Sequence, residues 1–575
     1  MSLRWLLSGS FLLAAATQAG AILSGVTPLL SDRLVDGDCY IRLARVEALL
    51  GGQGWYDATT VLLNAPYGEA LHWTRLFDLL IALAALPLLP WLSVEQSVWQ
   101  AGLWISPLLE LAAVGALVWG LRPHLSSPAI LLAVALFVLQ PGIVGVFLPA
   151  RPDHHGLQIT LEIWALAGLM RQGTRSAVWA GLASGLALWV SAEALLLILA
   201  AGLCLGLLWI LNGASERKRL LAYLLTLCLV AACALVLERP PASWMDQEYD
   251  RLSLVQFGLC CFLTLSAGWT IIGNDWADTK GRRLLLGLGM AAMAGGLMAL
   301  TFPQFFRGPY GNLDPRLVPI WFSLVKEAQP LSLGPKAVLL LAPPLMGLIY
   351  AAWRFWREPG GFILISLCAL LVYVPAMFYQ VRIAVFAAAA DVLPWTLLAL
   401  AALRMGRLRV LAVPLVLVGP LAAAAFVAKM GLGHADPGAP DICSWDRLAH
   451  HFKTEWPDDR KPILTYIFPG PELAYLSRHP VVAGPYHRST DGILDIVNAL
   501  GAMDDAPARE VAQRRHIGWV AVCDQESEGL GFDAKRGGLG FHARLAQGDA
   551  PAWLKAEAAL PTSKGTFRIY RVALE

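Results

Sequence analysis

The run Arg151-Pro152-Asp153-His154-His155 lies between long apolar segments, with almost no other charge nearby. Asp and His side by side next to a bilayer are costly unless they bind something. A carboxylate is a hard oxygen donor, and imidazole accepts borderline metals. Asp153 and His155, with His154 between them, therefore have the chemistry to hold a divalent cation such as Mn²⁺ or Mg²⁺. Taken alone, Asp153 serves equally well as a helix cap before Gly156. A second acidic element, Asp36-Gly37-Asp38, sets two carboxylates on a Gly-containing turn and suits the same class of ion. Acidic loop residues are otherwise simply solvated. Glu327 follows Lys326, its default partner, and Glu193 is another carboxylate at a helix end. Arg382 carries a planar fork suited to a phosphate, or to snorkelling toward lipid headgroups. Asp314 and Arg316 belong to a stretch that reads first as a turn but that lies within reach of a bound molecule. Tyr486, His487 and Arg488 form a polar cluster after a strand-like run, facing either a ligand or the rest of the chain.

These residues must be positioned by membrane helices. The 575 residues are 57% hydrophobic and only 15% charged, where a soluble protein carries roughly 25% charged residues. The apolar residues gather in blocks of roughly 15–25, long enough to cross a ~30 Å hydrocarbon core. Six short loops hold clustered Lys and Arg and belong inside by the positive-inside rule. Helices are expected near 4–24, 97–121, 127–141, 157–170, 176–193, 195–212, 220–237, 253–273, 284–301, 337–353, 361–379, 383–403 and 410–429. The first is read as an uncleaved helix rather than a signal peptide. That gives about thirteen crossings and two long outer loops, about 25–95 and 302–336. The apolar block 75–93 must then lie in the outer interface, because a crossing there would flip every later basic loop; fourteen crossings is the alternative. Parity puts Asp36, Asp38, Asp153, His155, Glu327 and Arg382 on the outer face. It also puts the polar tail, 430–575, outside, after a transmembrane domain spanning 1–429.

The tail reads as a small α/β domain. Strands are expected at Ile463–Phe468, Val481–Val482, Ile517–Val522 and Phe567–Val572, and helices near 471–477, 490–502 and 505–514. Cys443 and Cys523 lie in it and are free to pair if it is extracytoplasmic. A net charge of +2 and the lack of a basic stripe give no footing for nucleic acid.

The order of these pieces resembles the catalytic subunit of oligosaccharyltransferases, above all the single-subunit bacterial and archaeal type with the GT-C fold. Asp38-Cys39-Tyr40-Ile41-Arg42 is similar to the family's D-x-Y start. Trp55-Tyr56-Asp57, Pro66-Tyr67-Gly68, Trp73 and Leu76-Phe77-Asp78 resemble the archaeal first loop. Asp153-His154-His155 matches the archaeal D-H-H, and Glu327-Ala328-Gln329-Pro330 stands where the loop Glu motif stands. The resemblance covers roughly residues 1–500. It implies that Asp38, Asp153 and His155 bind the metal, with Glu327 completing or bracing the site. The metal would hold the phosphate of a polyprenyl-linked sugar donor, Arg382 would take a phosphate oxygen, and Asp38 would orient or deprotonate the acceptor. The expected setting is a bacterial cytoplasmic membrane.

One departure narrows this. Where the family has W-W-D-Y-G, which binds the Ser/Thr of the Asn-x-Ser/Thr acceptor, this chain has Tyr466-Ile467-Phe468-Pro469-Gly470. A pocket built to bind a hydroxyl loses its discrimination without the polar group. The expectation is a membrane glycosyltransferase with a glycan, lipid or other protein acceptor. The alternatives are a sequon enzyme with a diverged pocket, a flippase or transporter of lipid-linked glycan, which would need polar groups near the midplane, and an inactive scaffold.

Overall fold

The computed structural model describes residues 2–273, 275–332, 335–417, 443–535, 537–538 and 540–574. The expected last helix, 410–429, and the 429/430 domain boundary lie largely outside them. The chain is mostly helical. Its long helices are α1 (Leu3–Leu23), α4 (Val94–Leu121), α7 (His154–Met170), α8 (Thr174–Val190), α9 (Ala194–Asn212), α10 (Ala214–Glu238), α11 (Leu254–Ile272), α12 (Lys280–Thr301), α13 (Pro335–Arg357), α14 (Gly361–Ala376) and α15 (Ala384–Leu403). Shorter pieces are α2 (Gly37–Leu50), α3 (Arg75–Ala85), α5 (Ser127–Val138), α6 (Pro141–Phe147) and α16 (Arg409–Leu417).

Among the described residues, seven helices are long and apolar enough to cross a membrane, or eight if the bent pair α5–α6 is one span. The chain is thus a multi-pass membrane protein. The other expected crossings correspond to α7, α8, α13 and α14, plus the partly described α16; α7 and α8 have 17 residues each and α14 has 16. Helix α12 turns Leu284, Leu285 and Leu288 outward, as a lipid-facing helix does. The block 75–93 forms an 11-residue helix, α3, about 16 Å long and too short to span.

Buried charge sets the first outer loop. Asp78 on α3 is fully buried and receives Arg42 at 2.8 Å and Arg45 at 2.8 Å from α2, and Arg75 at 3.2 Å. Burial opposes its ionisation, yet Arg45 and Arg42 hold it below the usual carboxylate range. The cluster locks α2, which carries Asp38, onto α3.

Acidic residues also lie away from the helix ends, which the sequence reading did not single out. Glu110 on α4, Glu162 on α7 and Asp391 on α15 are buried inside the bundle. Their sequence signal was weak because each is a single acid within a strongly apolar helix.

In the first outer loop β1 (Thr59–Thr60) pairs with β2 (Glu69–Ala70), and the tail builds a four-stranded sheet in the order β3 (Ile463–Leu464), β4 (Trp519–Cys523), β6 (Thr566–Val572), β5 (Leu554–Pro561). β3 runs parallel to β4 and the other pairs are antiparallel. Its core is shared with the outer loops: Ile41, Leu63, Leu71, Trp73, Leu317 and Trp321 pack into it. Cys443 and Cys523 form a disulfide. Helix α17 (Gly470–Ser477) docks on α2, where Tyr475 donates to Glu47 at 2.5 Å and Arg478 at 2.6 Å.

Candidate functional site

Asp153 caps α7, its Oδ1 accepting from the His155 amide. It does more than cap. Its Oδ1 lies 2.9 Å from His154 Nδ1 and its Oδ2 2.8 Å from His155 Nδ1. One ligand atom from each of the three residues falls within 4.8 Å of the others. The run is held rigidly. Ala150 sits at φ 62°, a conformation costly for a residue with a Cβ. Its carbonyl accepts from the Val35 amide at 3.0 Å and its amide donates to Leu103. Arg151 then donates to Gly145 O at 2.7 Å, meets Asp153 at 3.3 Å and reaches Asp36 at 3.8 Å. One arginine thus ties the acidic loop to the D-H-H run.

Arg382 is gripped by two carboxylates, Glu193 at 3.1 Å and Glu327 at 2.9 Å. Glu193 precedes α9, and its other oxygen is buried, unbonded and 3.9 Å from His155 Nε2. Glu327 reaches Arg382 because its loop is stitched to the turn before α15: Val381 N donates to Gln329 O at 2.8 Å, and Leu331 N to Met377 O at 3.0 Å. Its partner is Arg382, not the neighbouring Lys326 of the sequence reading.

Several of these groups line one cavity of about 290 Å³: His154, His155, Glu193, Glu327 and Arg382, joined by Asp38. Leu195, Leu196, Phe305, Ala376 and Ile383 add apolar lining, and Tyr486 and His487 reach it from the tail. Burial, together with the carboxylates of Asp36, Asp153 and Glu327, pushes Asp38 up to about 8. Asp153 is buried too, yet the two imidazoles hold it well below the usual range. A crowd of carboxylates, one forced to keep its proton and one oxygen left unbonded, is an environment that a divalent cation would relieve. The residues present fit a metal; Asp38 lines the same cavity but lies outside the tight three-residue group.

Other expected residues sit elsewhere. Asp36 caps α2 through the Cys39 amide and does not line the cavity. Asp314 and Arg316 are a correction. They close on each other at 2.6 Å in an exposed turn, because an Asp-x-Arg turn satisfies itself, and they stay out of the cavity. Arg488 also stays out, bound to Asp250 at 2.7 Å and to Glu248. The Tyr486 hydroxyl is buried and lies close to Asp38, without reaching hydrogen-bond geometry.

Asp250, His72 and Tyr310 line the cavity as well, and the sequence reading missed them. A signal existed for Asp250: Asp246, Glu248 and Asp250 crowd into one short loop that helix parity puts on the outer face.

No family model matches the sequence, and no curated protein does. Solved structures do. An apo oligosaccharyltransferase from Archaeoglobus fulgidus aligns at 16% identity over 91% of this chain and 70% of its own, with a TM-score of 0.69. The archaeal oligosaccharyltransferase AglB of that organism, bound to an inhibitory peptide and a dolichol-phosphate, aligns at 14% over 100% and 74%, with a TM-score of 0.72. A complex with zinc and sulfate aligns at 16% over 99% and 73%, with a TM-score of 0.66. The chain has the fold of these archaeal enzymes.

Proposed function

We propose that this fold serves a metal-dependent membrane glycosyltransferase. It would move a sugar or oligosaccharide from a polyprenyl-(pyro)phosphate donor to an acceptor on the outer face of the cytoplasmic membrane. The observation that carries the reading is one cavity lined both by apolar side chains (Leu195, Leu196, Phe305, Ile383) and by the Arg382 guanidinium and the two histidines of the candidate metal group. A lipid phosphate has that same division. The dolichol-phosphate in one structural neighbour, and the zinc and sulfate in another, support the assignment.

Asp153 and His155 would hold the cation, with Asp38 and Glu193 in reach of the same space. When bound, Mn²⁺ or Mg²⁺ supplies positive charge against the departing phosphate. The chain's own residues do the rest. Arg382, now shared by Glu193 and Glu327, takes a phosphate oxygen in a charge-assisted fork. Glu327, whose side chain is 54% exposed, is the partner that yields most easily. Asp38 faces the acceptor side next to Tyr486 and orients the nucleophile there.

The acceptor is read as something other than an Asn-x-Ser/Thr sequon. Tyr466 in the altered stretch is fully buried; its hydroxyl accepts from the Cys523 amide at 2.9 Å and lies 2.6 Å from His542 Nε2. This part of the chain works as core, not as a hydroxyl pocket. Thirteen crossings, a boundary at 429/430 and an extracytoplasmic tail belong to the same proposal. The Cys443–Cys523 disulfide supports the last, since disulfides persist in oxidising compartments.

The test uses membranes, Mn²⁺ and a radiolabelled polyprenyl-linked donor extracted from the same cells. Label should leave the organic phase only when the protein is present, and EDTA should stop it. Transfer that proceeds unchanged in EDTA overturns metal dependence. Absence of any transfer overturns the reaction. Labelling of engineered tail cysteines from the cytoplasm overturns the topology.

A further inference from the structure

We infer that His487, oriented by Asp250, is the group that takes the acceptor's proton, and that the acceptor nucleophile is a hydroxyl. The inference rests on the glycosyl-transfer reading of the cavity. His487 belongs to the tail and Asp250 to the loop between α10 and α11, yet His487 Nε2 lies 2.7 Å from Asp250 Oδ2. Both line the cavity. A carboxylate can only accept, so Nε2 carries the hydrogen, and in the neutral ring it is Nδ1 that holds the lone pair. Among the described residues Nδ1 makes no hydrogen bond, which leaves it for a substrate.

The charged and titratable groups around His487 are few. Asp250 faces it from the loop, and Arg488 donates to the same Oδ2 at 2.8 Å. The His72 ring stands 4.7 Å away, from the segment before α3, and Tyr310 stands 5.5 Å away, edge-on, from the second outer loop. Burial raises the cost of ionising Asp250, but hydrogen bonds from His487 and Arg488 hold its carboxyl far below the usual range. It stays anionic and stabilises an imidazolium as one forms, as in other carboxylate–histidine pairs. The pair is not required as a tie between tail and loop. Arg488 already makes that tie, with bonds to both Asp250 and Glu248.

The chemistry selects the acceptor. An amide N–H is not activated by losing a proton to imidazole, whereas a hydroxyl attacking an anomeric carbon becomes acidic as the bond forms. In the step, the acceptor oxygen bonds to the anomeric carbon. The bond from that carbon to the donor phosphate oxygen breaks, and the phosphate leaves with the electron pair toward Arg382. The hydroxyl proton passes to His487 Nδ1 and then to solvent. Products are the glycoside, the polyprenyl phosphate or pyrophosphate, and one proton.

The test follows label from a radiolabelled lipid-linked donor to endogenous acceptor, with full-length protein in membranes. His487→Ala should lower kcat by about 10²–10³-fold at unchanged donor KM, and added imidazole should restore part of the rate. Asp250→Asn should also lower kcat, because an amide no longer fixes the tautomer. His487→Gln, with expression and thermal unfolding matched to wild type, repeats the test should the alanine variant fold poorly. A kcat within about threefold of wild type overturns the inference. A loss expressed wholly as raised donor KM also overturns it and makes His487 a donor contact, and so does a slow, folded variant blind to imidazole. Wild-type protein that moves no label removes the glycosyl-transfer reading, and this inference with it.

Discussion

The two ends of the cavity are built in different ways. The donor end comes from one contiguous run, Asp153 to His155, and from residues at helix ends, Glu193 and Arg382. Helices that must cross a bilayer fix where their ends lie, so these side chains converge by necessity. The proposed acceptor end joins two loops with no helix end between them: His487 of the tail meets Asp250 of the α10–α11 loop. A surface made from distant loops can be rebuilt while the donor end stays the same. On the proposed function, the chain would keep a phosphate-binding end and would differ from a sequon enzyme where the acceptor enters.

That contrast is tested most severely by Asp153→Ala. It removes the shared partner of His154 and His155 and a ligand of the candidate metal, and should cut transfer by more than about 10³-fold. Retained thermal stability would show that the loss is chemical; full activity would break the donor-end assignment. Arg382→Ala comes next. Losing the fork should raise donor KM about 10–100-fold, since a hydrogen bond to a charged group is worth about 1.5–3 kcal/mol. Arg382→Lys should recover only part, because an ammonium gives one point of charge. Beside the proposed acceptor end, Arg488→Ala leaves Asp250 with His487 alone, while Glu248 keeps Arg239 and Arg251. We expect a stability loss of about 2 kcal/mol and earlier proteolysis of the tail, with donor KM unchanged. A raised donor KM in that variant would erase the division between the two ends.

Legibility follows the same division. The placement of the D-H-H run, Glu193, Glu327 and Arg382 near one another was readable because helix periodicity and basic loops locate helix ends and sort them by face. The exclusion of 75–93 as a crossing was readable from topology alone, though not the reason α3 holds its place, the three arginines on Asp78. Strand β5, Leu-Lys-Ala-Glu-Ala-Ala-Leu-Pro, was unreadable. As an exposed edge strand it is free to carry Lys, Glu and Ala, which look helical. Asp250 was missed because nothing local says that a loop carboxylate will meet a histidine of the tail. Asp314 and Arg316 look like a binding pair in sequence and are instead each other's partner.

The smallest expected effect concerns the stretch that replaced the sequon motif. Glu528, on the helix Ser527–Lys535, accepts from the amides of Ile467 at 2.9 Å and of Phe468 at 3.2 Å, and so holds that stretch in place. Burial raises its carboxyl from 4.5 to about 7, against the pull of the two amides, which favour the anion. The folded protein thus keeps a proton that the unfolded chain has lost at mildly acidic pH. Glu528's contribution to stability is complete below pH 4.5 and is lost as pH rises through about 7. Because the group is partly buried, the change should amount to about 1–2 kcal/mol. Glu528→Gln keeps an oxygen for the amides but cannot titrate. Thermal unfolding across this pH range should slope less in the variant than in wild type, while donor KM stays the same. Equal slopes would show that Glu528 binds its proton no more tightly in the folded protein than in the unfolded chain.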